Sequence, residues 1–127
     1  MEVGDKTKIL VVDDEQTIAN TLSWVLDREG YETRAAFSGE EAIEVAQTFA
    51  PDILICDVFM EGISGLDAGI KIREKYPSCK VLLVSGHISI SDLSRQAADK
   101  GHEFHYLAKP VHPRTLLEYL RTLMQLP

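Results

Sequence analysis

Short, continuously apolar runs alternate along this chain with longer stretches whose apolar residues recur at helical spacing, five times over. Lys8-Ile9-Leu10-Val11-Val12 is a compact β-rich run ended by acids. From Glu15 to about Glu29, residues Ile18, Leu22, Val25 and Leu26 keep helical spacing, and Gly30 stops the helix. Tyr31 to Ala36 is a weaker strand. Ser38 then offers an N-cap, with Glu41 three residues on to close a capping box, and Pro51 ends the helix that follows. Ile53-Leu54-Ile55-Cys56 is apolar at every position, as a strand covered on both faces must be. A loop through Gly62 and Gly65 leads to a helix ending near Tyr76-Pro77, and Val81-Leu82-Leu83-Val84 is a fourth strand. The helix near Ser91 to Lys100 has only Leu93, Ala97 and Ala98 for an inward face. Phe104 to Leu107 reads as a short fifth strand, and Pro113 suits the first turn of a last helix.

Five β–α units with near-continuous apolar strands predict a parallel sheet with helices on both sides. Right-handed crossovers then leave few arrangements. The expected fold is a flavodoxin-like (βα)5 three-layer sandwich, strand order 2-1-3-4-5, in a single domain over residues 1–127 with its core at about 7–125. In such a sheet ligands sit outside the carboxyl ends of the strands, near the point where strand order reverses. The residues just past the strands are Asp13 and Asp14 after the first, Asp57 after the third, Ser85-Gly86 after the fourth and Lys109-Pro110 after the fifth. Each alone is commonplace: an acid after a strand is usually a turn former or a helix cap. Their shared edge is what makes them chemical candidates.

Three carboxylates held together repel one another and take up protons more readily. A hard divalent cation removes that penalty, and oxygen ligands with room for water suit Mg²⁺. An ammonium and a hydroxyl beside them complete a set fit to bind the oxygens of a transferring phosphoryl group, with Asp57 as nucleophile. Composition narrows the alternatives. Thirteen Lys+Arg against twenty Asp+Glu leave a net charge of −7, which disfavours nucleic-acid and anionic-membrane surfaces. No apolar run approaches the roughly eighteen residues of a membrane span. The N-terminal residues lack the cationic start and apolar stretch of a secretory signal. Cys56 and Cys79 form no disulfide framework, so a reduced, cytoplasmic domain is expected.

The chain resembles the response-regulator receiver domains of two-component signalling over about residues 7 to 125. The resemblance rests on Ile9-Leu10-Val11-Val12-Asp13-Asp14-Glu15, on Asp57-Val58-Phe59-Met60 with Gly65 eight residues past the aspartate, on Val84-Ser85-Gly86, and on Tyr106-Leu107-Ala108-Lys109-Pro110. It implies that Asp57 accepts phosphoryl from a phosphohistidine on a sensor kinase or phosphotransfer protein. Asp14, Asp57 and the carbonyl of Phe59 would ligate Mg²⁺ directly, and Asp13 through water. Lys109 would pair with Asp57 and then with the phosphate, its place set by a cis bond to Pro110. Ser85 would move toward the phosphoryl group and Tyr106 would turn inward behind it, switching the last helix-strand-helix face for a downstream effector or a second copy of the chain. Such a domain catalyses only its own phosphorylation and slow dephosphorylation.

Three departures from the family pattern stand out. Glu61 replaces a common proline, so the loop past Asp57 is expected to be less rigid. Phe59 and His87 put bulk beside the path of an attacking water, which predicts slow loss of phosphate. Gly101-His102-Glu103-Phe104-His105-Tyr106 is one residue longer than the usual approach to the fifth strand, leaving that strand's boundary and the direction of Phe104 open. The enzyme alternative is a Mg²⁺-dependent phosphohydrolase working through an aspartyl phosphate, but such enzymes place an acid where Phe59 stands. The other alternative is an unphosphorylated docking module. His102 and His105 lack the further ligands of a zinc site, and neither a nucleophile elbow nor a phosphate loop is present.

Overall fold

The computed structural model describes residues 6–86 and 89–126. His87, one of the two predicted shields, lies outside the described residues. The elements are β1 (Lys8–Val12), α1 (Gln16–Arg28), β2 (Glu32–Ala36), α2 (Gly39–Phe49), β3 (Ile53–Asp57), α3 (Gly65–Lys75), β4 (Lys80–Ser85), α4 (Ile90–Asp99), β5 (His105–Ala108) and α5 (Pro113–Met124). The sheet order is β2-β1-β3-β4-β5, parallel throughout, as the alternation predicts.

The period of two along each strand divides the core in half. Leu10, Val12, Leu54, Cys56, Val81 and Leu83 face one way and meet Ala42, Ala46 and Phe49 of α2, Leu66 and Ile72 of α3, and Leu93 and Ala97 of α4. Ile9, Val11, Ile53, Ile55, Leu82 and Val84 face the other and meet Ala19 and Leu26 of α1 and Leu116, Leu120 and Leu123 of α5. Every strand residue from Ile53 to Asp57 is buried, which is why that run needs no polar alternation.

Local chemistry sets the helix ends. Ser38 accepts from the Glu41 amide at 3.0 Å, and Glu41 reaches back to the Phe37 amide. Ser64 and Ser89 cap α3 and α4 in the same way, and Pro113 opens α5 behind His112. Gly30, at φ +101°, ends α1 where a side chain would be strained. In α4 only Leu93 and Ala97 are buried, so this helix is held by little apolar surface.

The fifth strand starts one residue later than the pattern predicts. Phe104 precedes it and is buried in the cluster shared with α3 and α4. Its ring lies beside Gly69, where an added Cβ would stand 3.5 Å from it, in ordinary contact. The Arg73 guanidinium covers the ring at 5.8 Å and donates to the Glu103 carbonyl at 2.8 Å. The extra residue is thus absorbed ahead of the strand, where Gly101 turns at φ +83°.

Candidate functional site

Strand register brings the chemistry to one edge. Val12 pairs with Cys56, Asp57 with Val84 and Ser85 with Ala108, so Asp13, Asp57, Ser85 and Lys109 leave four adjacent strands at nearly the same height. Backbone bonds fix these exits: Asp13 N donates to Ala36 O at 3.2 Å, Val58 N to Val84 O at 3.1 Å, and Lys109 N to Ser85 O at 2.9 Å. The Lys109–Pro110 bond is cis, as expected.

The side chains converge. Carboxylate oxygens of Asp13, Asp14 and Asp57 lie within 4.8 Å of one another, the one such cluster of potential metal ligands among the described residues. Lys109 Nζ sits 3.2 Å from Asp57 Oδ2 and 3.5 Å from Asp13 Oδ2. The other Asp13 oxygen accepts from the Glu15 amide at 2.9 Å, a link between neighbours in sequence that the apolar pattern did not reveal. Asp13, Asp57 and Ser85 are buried, whereas Asp14 is exposed.

The electrostatics follow from that placement. Burial raises the Asp57 pKa; Lys109 pulls it back by hydrogen bond and charge, Asp13 and Asp14 push it up again, and the net result lies above the ordinary carboxylate value. Burial alone would lower Lys109, but Asp57 and Asp13 hold its ammonium above the usual lysine value. Cys56, next in the strand, is driven far up by burial and then by the two aspartates, so it stays a thiol and takes no part. A cluster of hard oxygens whose mutual repulsion is only partly cancelled by one ammonium fits a small divalent cation.

The loop between β3 and α3 carries Phe59, a residue 54% exposed. Tyr106 lies on β5 beside Leu83 and packs against the cluster shared with α2, α3 and α4. Its hydroxyl is buried without a hydrogen-bond partner among the described residues. Burial raises its pKa against smaller opposing effects from Ser94 and the Phe104 backbone. His102 instead packs on Phe104 with the rings tilted by 38°, at 5.4 Å between ring centroids, and His105 meets Tyr119 edge-on at 6.3 Å. A groove of about 510 Å³ runs from Asp13, Asp57 and Lys109 down between α1 and α5, with apolar walls that include Ile18, Leu22 and Val111. Sequence patterning placed these residues on separate elements and gave no sign that they enclose a space.

A sequence model of the response regulator receiver domain matches residues 9–121. The chain is 32% identical over 122 residues to the probable transcriptional regulatory protein TcrX of Mycobacterium tuberculosis, covering 96% of this chain and 51% of that one. It spans about half the length of the curated relatives it matches. A CheY-like receiver domain protein from Methanospirillum hungatei superposes with a TM-score of 0.86 at 27% identity, covering 94% of each chain. A response regulator from Burkholderia pseudomallei, whose crystal structure contains a phosphorylated aspartic acid, a calcium ion and citrate, superposes at 0.77 with 28% identity, over 95% of this chain and 74% of that one. The chain belongs to the receiver-domain family of two-component response regulators.

Proposed function

We propose that Asp57 stores the signal as an aspartyl phosphate formed with Mg²⁺ bound, and that residues 1–127 act as one receiver unit. The observation that carries this reading is the buried Asp57 carboxylate, 3.2 Å from Lys109 and clustered with Asp13 and Asp14. The phosphorylated aspartic acid and cation of the Burkholderia relative support it. Asp14, Asp57 and the Phe59 carbonyl would hold the cation. Asp13, with one oxygen on the Glu15 amide and the other near Lys109, is suited to act through water. The bound cation supplies neutralising charge to the phosphoryl oxygens.

In the transfer, an Asp57 oxygen forms a bond to phosphorus as the phosphohistidine P–N bond breaks. The electron pair goes to the imidazole nitrogen, which takes up a proton. Lys109 shields the carboxylate before transfer and binds a phosphoryl oxygen after it. Ser85 donates to another oxygen. Tyr106 fills the space Ser85 leaves, and α4, thinly packed, is the element that yields. The phosphodonor is a cytoplasmic histidine kinase or phosphotransfer protein that approaches along α1, where the apolar groove opens beside Asp57. Output passes to an effector domain or target protein, or to a second copy of the chain, through the α4–β5–α5 face, with no nucleic-acid contact by this domain. No helix among the described residues is long and apolar enough to cross a membrane.

Titration with beryllofluoride and Mg²⁺, followed by backbone NMR, tests the reading. Mg²⁺-dependent shifts are expected around Asp57, Ser85 and Lys109 and onward into α4 and Tyr106. No Mg²⁺-dependent binding of beryllofluoride would refute it. The family's dephosphorylation step gives a second test. Phe59→Asn replaces apolar bulk beside the site with an amide able to orient water, and is expected to speed phosphate loss by about tenfold, or about 1.4 kcal/mol in the barrier. The decay of phosphorylated protein, read by intact mass, checks it; an unchanged lifetime removes Phe59 as the shield.

A further inference from the structure

We infer that Glu40, at the start of α2, is a positioning residue for the magnesium site, clamping the loop that presents the Phe59 carbonyl. The inference rests on the reading of Asp57 as a magnesium-dependent phosphoryl acceptor. The loop of residues 58–64 is pinned at its neck, where Gly65 N donates to Val58 O at 2.9 Å. Its outer end has no proline to stiffen it, since Glu61 stands there. Glu40 makes up for this from another element. Its Oε2 accepts the Ile63 amide at 3.1 Å, across twenty-three residues of sequence. The fit is close on both sides of that bond. Gly62 adopts φ +78°, and a Cβ on it would overlap the Glu40 carboxylate. Gly39, beside Glu40, is buried, and a Cβ there would come 2.9 Å from the Ile63 carbonyl. The first turn of α2 is therefore seated on this loop, and two glycines permit the approach. A negative group at a helix N-terminus is also held favourably by the helix dipole, so the carboxylate is oriented before it meets the amide.

A carboxylate that accepts a backbone amide restricts the loop without touching the reacting atoms. Losing it loosens the limb of the loop that runs from Glu61 to Ser64 and so weakens the frame behind the Phe59 carbonyl, and the cation must order more of the loop as it binds. Glu40→Ala is expected to weaken Mg²⁺ binding by roughly threefold to tenfold, the net worth of one ordinary hydrogen bond. It should also speed hydrogen exchange at the Ile63 amide. Glu40→Gln keeps an acceptor oxygen while removing the charge, and is expected to retain most of the affinity and the exchange protection.

Mg²⁺ affinity by calorimetry and amide exchange by NMR, on wild type and both variants, decide the matter. Failure of the wild-type protein to bind Mg²⁺ refutes the phosphoryl-acceptor reading itself. Wild-type binding with an unchanged Glu40→Ala variant overturns the clamp alone. A Glu40→Gln protein as weak as Glu40→Ala also overturns it, because the effect would then come from net charge near the acids. Glu40 is exposed and its removal leaves no cavity, so both variants fold.

Discussion

Asp57→Asn abolishes stoichiometric labelling by acetyl phosphate with Mg²⁺, and the same change makes the metal-free domain more stable at neutral pH. The first effect follows because an amide offers no anionic oxygen to form the bond to phosphorus. Intact mass checks it: wild type gains one phosphoryl group per chain and the variant gains none. Labelling of the variant at the wild-type rate would move the acceptor to another residue. The second effect follows from the direction of the Asp57 pKa. Burial and the neighbouring acids lift it above the ordinary carboxylate value in spite of Lys109, so the folded state holds this proton more tightly than the unfolded chain does. Between the unfolded and folded pKa values the native state binds more protons, and stability falls as pH rises through that window. Above it the full cost remains, and below the unfolded value it is gone. The variant has no such titration, so its advantage should be present near pH 7 and fade on acidification. Thermal midpoints of both proteins in chelator, across pH, measure this. A variant less stable than wild type at neutral pH would mean that the ion pair with Lys109 outweighs the cost of burying Asp57.

Strand geometry decides which parts were legible in sequence. The sheet order could be reasoned from alternation because Ile53–Asp57 is buried on both faces and each strand's period of two sorts side chains between two helix layers. The chemical residues were legible because the ends of parallel strands share one edge by geometry, so Asp13, Asp57, Ser85 and Lys109 had to meet once the order was known. What pattern could not reveal is contact across elements distant in sequence. Glu40 reads as an ordinary first-turn acid, and only the structure shows it on the Ile63 amide. Phe104 has the composition of a strand residue, yet it lies ahead of the strand, buried against α3 and α4 beneath the Arg73 guanidinium. Periodicity records how a segment faces its own layer, whereas these positions are decided by a neighbour's shape.

Gly65 belongs to the same class, and its replacement by alanine carries the largest expected effect on folding. Its place eight residues beyond Asp57 is part of the resemblance to receiver domains, and the structure gives glycine there a physical reason. A Cβ on Gly65 would overlap the carbonyl oxygen of Asp57 and lie 2.8 Å from its carbonyl carbon and 2.9 Å from Val58 Cα. All three are backbone atoms, so no rotamer change relieves the clash. The backbone there is not in the left-handed region, so the cost is steric rather than dihedral. Relief requires α3 to move away from the end of β3, which breaks the bond from Gly65 N to Val58 O and shifts Asp57, the proposed phosphoryl acceptor. Gly65→Ala is expected to cost about 3 kcal/mol, lowering the thermal midpoint by roughly 10 °C. Labelling by acetyl phosphate should be slowed even at temperatures where the variant remains folded. Gly101→Ala is the matched control: it stands at φ +83° with nothing within 4 Å of an added Cβ, far from the acids in sequence. It should cost only about 1–2 kcal/mol of backbone strain and leave the labelling rate as in wild type. Equal destabilisation by the two changes, with labelling intact in both, would show that contact with the Asp57 backbone is not what glycine at position 65 protects.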